Sequence, residues 1–378
     1  MRIEIITNKR DLAAHAIRWD ELALMDPRDG FFRTYVWYTA WMEHIRPDAT
    51  PFVILVRDAA GTIAGIAPLC RASFHDLGFR VQALRWAGRE VVSGDFLDIL
   101  CAPGDRPAVT AAIVDCLAEE RTDWGLLLLG ELIAGGESYT AVTALAARCN
   151  LPLREQEARI CPYIALPDTF DQYLETLGSS TRYHVRRRMR DVEKRGAAVN
   201  ILTDPREVAT ALPDLVRLHL ARWRSENLPG TLGRPGFSAF LRHVCLNPGP
   251  AASARLYMLT QDGAPAAALL AFHFGHSALY YQAGWDPHSA LAALSPAVVL
   301  MGHSIREAIK DGKRFYEFLR GDEAYKSRWT TTQRTTTTLV AGRGFMAKQY
   351  LRVAHLKDNV KPLLRPQRIA PVSGPAGD

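Results

Sequence analysis

The sequence predicts a mixed α/β protein with two tandem domains and a C-terminal helical tail. The chain has 378 residues, and a single hydrophobic core usually stops growing at about 250–300 residues. Segments with strand periodicity alternate with helical ones along the chain. Both halves also contain the order strand, polar glycine turn, strand, followed by strand, helix, strand, which indicates a duplicated unit. The predicted domains are 1–155 and 156–345, and the tail is 346–378.

The first half is expected to begin with the strand IEIIT, a helix from about Asn8 and the helix YVWYTAWMEHI. PFVILVRD and IAGIAPLC form a hairpin around the turn AAGT. DFLDIL at 95–100 is expected to be a buried strand. The next helix, 106–121, begins where Asp105 can cap it and Pro107 fits its first turn. WGLLLLGEL follows as a central strand, which a right-handed crossover would place parallel to DFLDIL.

The second half repeats this plan. Helices are expected at about 169–177, 182–195 and 205–226, the second of them capped by the Ser179-Ser180-Thr181 cluster. ARLYMLTQ and APAAALLAFHFG form a hairpin around Asp262-Gly263. SALYYQAGWD, a helix opened by Ser295-Pro296 and RFYEFLRG then form the parallel crossover. TTQRTTTTLVAG is a late strand, and a basic helix precedes a tail end, IAPVSGPAGD, whose composition is typical of disorder.

The net charge of +6 is concentrated in two segments. Residues 182–195 hold seven basic and two acidic side chains, as do residues 341–378. Helical spacing places Arg182, Arg186 and Arg190 on one face of the first segment. That stripe could bind a polyanion, such as a nucleotide-sugar diphosphate or tRNA, or it could be a solvated flank. Since the basicity is local, the charge does not favour general nucleic-acid binding.

The sequence contains few features that indicate a membrane, a secretory route or a metal site. No apolar run approaches the ~20 residues of a transmembrane helix. The N-terminus MRIEIITNKRDLAAH lacks the apolar region of a secretory signal, so we expect a cytoplasmic protein. The six cysteines form no C-x-x-C pair and no Cys/His cluster with zinc spacing. No metal site is therefore predicted.

Several stretches together resemble one branch of the GNAT acyltransferase superfamily. In the first half these are WDELALMDPRDGFFRTYVWYTAWMEH, RDAAGTIAGIAPL and RWAGREVVSGDFLDIL. In the second half they are SSTRYHVRRRMRDVEKRG, LHLARWRSENLPG and the run from LYYQAGWD to FLRGDEAYKSRW. Their order is similar to that of CelD-type acetyltransferases associated with exopolysaccharide and cellulose biosynthesis, which are relatives of the Fem-type aminoacyl transferases. The resemblance implies two GNAT-like domains and acyl transfer from a thioester, usually acyl-CoA, without a metal.

The sequence departs from the usual GNAT pattern where the cofactor would bind. GNAT domains typically hold the CoA pyrophosphate with a loop of the form R/Q-x-x-G-x-G/A before the crossover helix. This chain has DPHSALAALSP at that position, without the glycines. The helix that begins at Ser295 would still offer free N–H groups and a positive dipole end to an anion. In Fem relatives a nearby lysine steadies phosphate charge, and Lys326 resembles it.

The segment RGDEAYKSRW at 320–329 is the predicted chemical loop because it directly follows the strand RFYEFLRG. Acyl transfer needs a base, donors for a developing oxyanion and an acid for the leaving thiolate. Asp322 and Glu323 could act as bases, and Arg320 and Lys326 could contact anions. The GNAT resemblance assigns Tyr325 as the general acid. The alternative is a solvated polar loop with incidental charges.

Five other residues are candidates for the substrate cleft. Tyr281 and Gln282 lie on the strand before the crossover helix, and alternation sends Tyr280 and Tyr281 to opposite faces. We expect Tyr281 to face the cleft. Asp286 could orient an amine or simply form a turn before Pro287. The other two, which could line the acceptor groove or belong to the core, are Arg222 and Trp223.

Three functions remain open at this stage. The first is transfer of an acyl group from acyl-CoA, such as acetyl-CoA, to an amine or hydroxyl on a sugar or polysaccharide precursor. The second is Fem-like transfer from aminoacyl-tRNA, which the basic helix and the missing glycine loop favour. The third is a non-catalytic scaffold protein of polysaccharide biosynthesis.

Overall fold

Hydrophobic strands and amphipathic helices fold into one mixed sheet covered by helices. The computed structural model describes residues 1–26, 30–92, 94–119, 122–156, 158–249 and 251–364. The strands are β1 Arg2–Ile6, β2 Thr50–Arg57, β3 Ile63–Asp76, β4 Phe79–Trp86, β5 Leu100–Cys101, β6 Leu126–Ile133, β7 Leu153–Glu155, β8 Arg159–Ala165, β9 Ala198–Leu202, β10 Ala252–Gln261, β11 Ala264–Phe274, β12 Ser277–Trp285, β13 Phe315–Glu317 and β14 Gln333–Gly342. The helices are α1 Ala16–Met25, α2 Tyr35–His44, α3 Arg106–Ala118, α4 Glu137–Arg148, α5 Phe170–Thr176, α6 Ser179–Lys194, α7 Pro205–Ser225, α8 Phe237–Leu246, α9 Pro296–Lys310 and α10 Gly344–Leu364.

The strands form a 14-stranded sheet that runs through both halves of the chain. Its order is β1-β2-β3-β4-β6-β14-β8-β13-β12-β11-β10-β9, with β5 beside β3 and β7 beside β14. The two halves meet where β8 pairs with β14, from Gln333 opposite Pro162 to Thr336 opposite Arg159. β14 also pairs with β6. The predicted mixed sheet is confirmed.

The second half contains the predicted meander and crossover. β10, β11 and β12 pair antiparallel, and Asp262 and Gly263 form the first turn with positive φ angles of 50° and 78°. Those angles suit a tight hairpin turn. α9 then returns the chain so that β13 pairs parallel to β12. Ser295 precedes α9 in a left-handed conformation with Pro296 in the first turn, and Gly312 follows the helix with φ of 67°.

Several predicted elements differ in the structure. Within DFLDIL only Leu100 is in a strand, and the parallel partner of β6 is β4. Phe96 has a φ of +52°, which breaks the extended run. The basic helix begins at Ser179, with Gly178 as its N-cap, so the Ser-Thr cluster forms the first turn. The strands β4, β7, β8 and β9 and the helix α8 are absent from the prediction. β13 is also shorter than RFYEFLRG.

Helices cover both faces of the sheet. α6 and α9 pack on one face of β10–β12 around Val185, Met189 and Ile305. α7 and α8 cover the other face and share one continuous core with the first half. α10 packs on β4, β6 and β14 through Tyr350 and Leu351. None of the helices among the described residues is long and apolar enough to span a membrane. The tail end predicted to be disordered, from residue 369, lies outside the described residues.

Candidate active site

A cavity opens in the second half where β12 and β13 diverge. The two strands pair only from Ser277 opposite Phe315 to Leu279 opposite Glu317, after which β12 continues alone to Trp285. The resulting space of about 170 Å³ is bounded by β12, the first turns of α9 and the loop that follows β13. Its lining residues, most of them apolar, are Arg222, Leu269, Tyr280, Ala283, Trp285, Ala297, Val298, Met301, Tyr325, Arg328 and Trp329.

A β-bulge decides which side chains of β12 reach this cavity. Opposite β11, the register passes from Ala271–Tyr280 to Leu270–Gln282, so Tyr281 has no direct partner. Bulges re-aim side chains in this way. Tyr280 lines the cavity. Tyr281, expected to face the cleft, instead lies on the opposite face, where its hydroxyl donates to the carbonyl of Val92 at 2.7 Å. By register Gln282 shares the face of Leu270, which belongs to that same core.

Tyr280 and Tyr325 form a hydroxyl pair at the cavity wall. Both side chains line the cavity. Burial raises the pKa of Tyr325 well above its usual value, and the neighbouring Tyr280 raises it further. Burial also raises the pKa of Tyr280. Both phenols therefore keep their protons at neutral pH, and Tyr325 is placed as a proton donor.

The loop 320–329 is held by its lysine. The Lys326 ammonium is 3% exposed and donates to the carbonyls of Leu319, Arg320 and Gly321 at 3.3, 3.0 and 3.4 Å. It also pairs with a carboxylate oxygen of Glu323 at 2.8 Å. These four acceptors occupy its three donors. Lys326 was expected to contact an anion, but the structure turns it inward as a clamp on its own loop.

The two acids of the loop lie at the surface. The Glu323 side chain is 56% exposed. Its charge acts on both Tyr280 and Tyr325, so it lies near the mouth of the cavity. Asp322 is exposed as well. Glu323 is therefore the better placed of the two predicted bases.

Arg222 lines the cavity as predicted, on top of two indole rings. Its guanidinium lies 4.4 Å from the ring centre of Trp285 and 4.9 Å from that of Trp223. Trp223 is half-buried and packs against His219. Asp286 accepts a hydrogen bond from the backbone N–H of His288 at 2.9 Å, which is the turn role.

A second cavity continues from the first toward the start of α6. It has a volume of about 260 Å³ and shares Val298, Arg328 and Trp329 with the first. Ser180, Thr181 and His184 of α6 add polar groups to its wall. Ala297 and Val298, directly after Ser295 and Pro296, place the first turn of α9 beside both cavities. Hydroxyl groups, a guanidinium and a helix start together suit an anionic group.

A buried charged network joins the two halves, and the sequence did not reveal it. Arg320, expected to contact a substrate anion, instead pairs with Glu131 at 2.5 Å and with Asp95 at 3.4 Å. Its backbone N–H also donates to Asp95 at 2.9 Å. Arg89 and Thr336 complete the contacts to Glu131 at 3.3 and 3.0 Å. Burial raises the pKa of Asp95 to about 6 although the Arg320 charge opposes this.

The backbone around this network is strained. Glu131 itself has a φ of +59°, and Phe96 and Leu319, each next to a network residue, have φ of +52° and +58°. Left-handed angles in such residues cost of order 1–3 kcal/mol each and persist only where surrounding contacts enforce them. The network therefore fixes both the segment after β4 and the start of the loop 320–329.

The stripe of arginines on α6 lines a broad groove of about 760 Å³. Arg182, Arg186 and Arg190 face it together with Arg306 of α9. Arg186 pairs with Asp171 at 2.8 Å across the groove. The sequence-predicted stripe is thus one wall of a concave surface with excess positive charge.

One family model matches the second half of the chain. Residues 179–327 match the family described as "Acetyltransferase (GNAT) domain", which supports an acyltransferase. That range contains nearly all the residues of the first cavity. No curated protein matches the sequence.

Solved structures show the fold over almost the whole chain. The crystal structure of FemX has a TM-score of 0.62 at 11% identity and covers 89% of this chain and 97% of its own. The C-terminal domain of a putative lysylphosphatidylglycerol synthetase from Agrobacterium fabrum has a TM-score of 0.55 at 11% identity, covering 91% of this chain and 96% of its own. A protein of unknown function from Bacteroides thetaiotaomicron has the same score and identity, covering 90% of this chain and 100% of its own. At such identities the likeness concerns the fold.

Proposed function

We propose that this chain transfers an acyl group from acyl-CoA to an amine or hydroxyl, using the cavity between β12 and β13. The observation that carries the proposal is the Tyr280–Tyr325 pair in the wall of an apolar cavity within the GNAT domain match. The cavity is mostly apolar, and the tyrosine hydroxyls and guanidinium groups in its wall could bind the amides of the pantetheine arm of CoA. Its opening at the first turn of α9 lies at the carboxyl end of β12, where crossover folds bind ligands.

The phosphates of CoA would occupy the second cavity. The chain lacks the glycine-rich loop, but Ser180, Thr181 and Arg328 supply donors there. The start of α9 after Ser295 adds its positive dipole end. Lys326, whose ammonium is already saturated, would support this site through the loop rather than by contact with phosphate.

The proposed chemistry uses Tyr325 as the acid. The acceptor nitrogen or oxygen attacks the thioester carbonyl, the carbon–sulfur bond breaks, and Tyr325 donates a proton to the departing sulfur. Glu323 takes the proton that the acceptor loses. Tyr280 lies beside Tyr325 in the cavity wall and helps to keep it protonated. Each proton transfer by a positioned side chain contributes typically 10²–10⁴-fold.

A saccharide acceptor suits the outer wall of the first cavity. Trp285 lines this cavity, and the Arg222 guanidinium covers one face of its indole ring. The rest of the indole offers apolar area for a sugar ring, and the guanidinium offers hydrogen-bond donors for its hydroxyls. We therefore propose a sugar or polysaccharide precursor as the acceptor, in line with the CelD-type resemblance.

The test is thiol release from acetyl-CoA with a panel of amino sugars. Tyr325→Phe should lower kcat roughly 100-fold with its fold intact. Tyr183→Phe, which removes an exposed hydroxyl on α6, is the matched control and should keep the wild-type rate. The proposal would be contradicted if no donor and acceptor gave thiol release and calorimetry detected no CoA binding.

The arginine-lined groove favours a second candidate, Fem-like transfer from aminoacyl-tRNA. Arg182, Arg186, Arg190 and Arg306 could contact a phosphate backbone. Footprinting with tRNA distinguishes the two, since the first proposal expects no protection.

A non-catalytic scaffold is the third reading. It predicts normal polymer output with Tyr325→Phe and loss of output only when the whole chain is deleted.

A further inference from the structure

Two histidines from different halves of the chain meet at the packing contact between α2 and α8. His44 ends α2, and His243 lies in the last turns of α8. Their ring nitrogens Nε2 and Nδ1 are 3.1 Å apart. The carboxylate of Glu43 lies 3.8 Å from the first nitrogen and 3.9 Å from the second. Three potential ligand atoms thus face one another, all within 4.8 Å.

We propose that Glu43, His44 and His243 form a binding site for a divalent ion of the zinc class. Zn–N bonds of about 2.05 Å place two nitrogens of a tetrahedral ion about 3.3 Å apart. The observed 3.1 Å is close to that spacing. The two distances to Glu43 involve different carboxylate oxygens, so a single ligand oxygen must approach the nitrogens by roughly 0.5–1.5 Å. The Glu43 side chain is 64% exposed and free to rotate.

A hydrogen bond between the rings accounts for the distance between them. Beyond it, each carboxylate oxygen of Glu43 lies beside one of the two ring nitrogens. This arrangement places the three groups where they can hold one ion between them. Two imidazoles favour zinc, nickel or copper over magnesium or calcium, which prefer oxygen ligands. Water can fill the fourth position on the exposed side.

The surrounding backbone holds the two rings in place. Gly236, just before α8, has a φ of +77°, and a Cβ there would collide with the His44 carbonyl. This close approach fixes α8 against the end of α2. An ion here would join the two halves of the chain.

Calorimetric titration of the full, EDTA-treated chain with zinc chloride tests the site. We expect one strong site per chain and a zinc-dependent rise in unfolding temperature. His44→Ala and His243→Ala should each weaken binding by more than about tenfold, and Glu43→Gln by less because water can replace an exposed ligand. His75→Ala, an exposed histidine of β3, is the control and should bind zinc as the wild type does.

Cobalt provides a second readout that does not depend on stability. A cobalt-loaded chain should show the visible absorption of a four-coordinate ion, and His44→Asn and His243→Asn, which keep a polar side chain, should lose it. The proposal fails if the wild type binds no zinc at one per chain. It also fails if the histidine variants bind zinc with wild-type affinity.

Discussion

Asp95 offers a prediction whose sign and size both follow from its burial. The carboxyl is 1% exposed, and its pKa is raised from 3.8 to about 6. Because the folded state then holds the proton more tightly than the unfolded state, protonation of Asp95 stabilises the fold. That stabilisation is complete below about pH 3.8 and is lost as the pH rises through about 6.

The size of this stabilisation follows from the difference between the folded and unfolded pKa values of Asp95. At about 1.4 kcal/mol for each pKa unit, the rise from 3.8 to about 6 corresponds to about 3 kcal/mol. About 2 kcal/mol of this falls between about pH 4.5 and about pH 7.5. Asp95→Asn cannot titrate. Relative to wild type, the free energy of unfolding of this variant should therefore increase by about 2 kcal/mol across that window.

Urea unfolding followed by tryptophan fluorescence at both pH values measures this difference. Asp48→Asn is the control because a hydrogen bond from Arg46 lowers the pKa of Asp48, so both its folded and unfolded forms titrate below the window. Its difference from wild type should stay constant. If the Asp95→Asn difference also stays constant, or changes with the opposite sign, the burial argument is wrong.

Three further substitutions test the packing around the site. Tyr281→Phe should cost about 1 kcal/mol in urea unfolding, since the Val92 carbonyl loses its donor, while thiol release stays at the wild-type rate. Lys326→Met leaves three loop carbonyls without their donor, so it should lower both stability, by about 3 kcal/mol, and the rate of thiol release. Gly284→Ala places a Cβ against the backbone of His219 and should destabilise the chain by about 3 kcal/mol or more, whereas Gly104→Ala, with open space around it, should cost less.

The fold was largely predictable because it depends on local patterns. The β10–β11 hairpin is marked by Asp262-Gly263, and α9 by Ser295-Pro296 before it and Gly312 after it. DFLDIL was wrong because it is apolar and buried like a strand, while Phe96 takes a left-handed conformation. Burial sets the composition of such a segment, and tertiary contacts set its backbone.

The site was only partly predictable. Tyr325 and Arg222 line the cavity. Alternation sends Tyr280 and Tyr281 to opposite faces, but it does not tell which face holds the cavity, and the structure places Tyr280 there and Tyr281 in the core. Asp95 and Glu131 lie far from Arg320 in sequence, so no spacing could reveal that it binds them rather than a substrate.

Calorimetric titration with acetyl-CoA of the wild type and of Ala297→Phe tests the central claim, that the cavity between β12 and β13 holds the acyl donor. Ala297 is half-buried in the first turn of α9 and lines the cavity. The account predicts one binding site in the wild type and an affinity at least about tenfold lower with Ala297→Phe. Ala111→Phe, on the exposed side of α3, should bind acetyl-CoA with wild-type affinity. Wild-type affinity in the Ala297→Phe chain would contradict it.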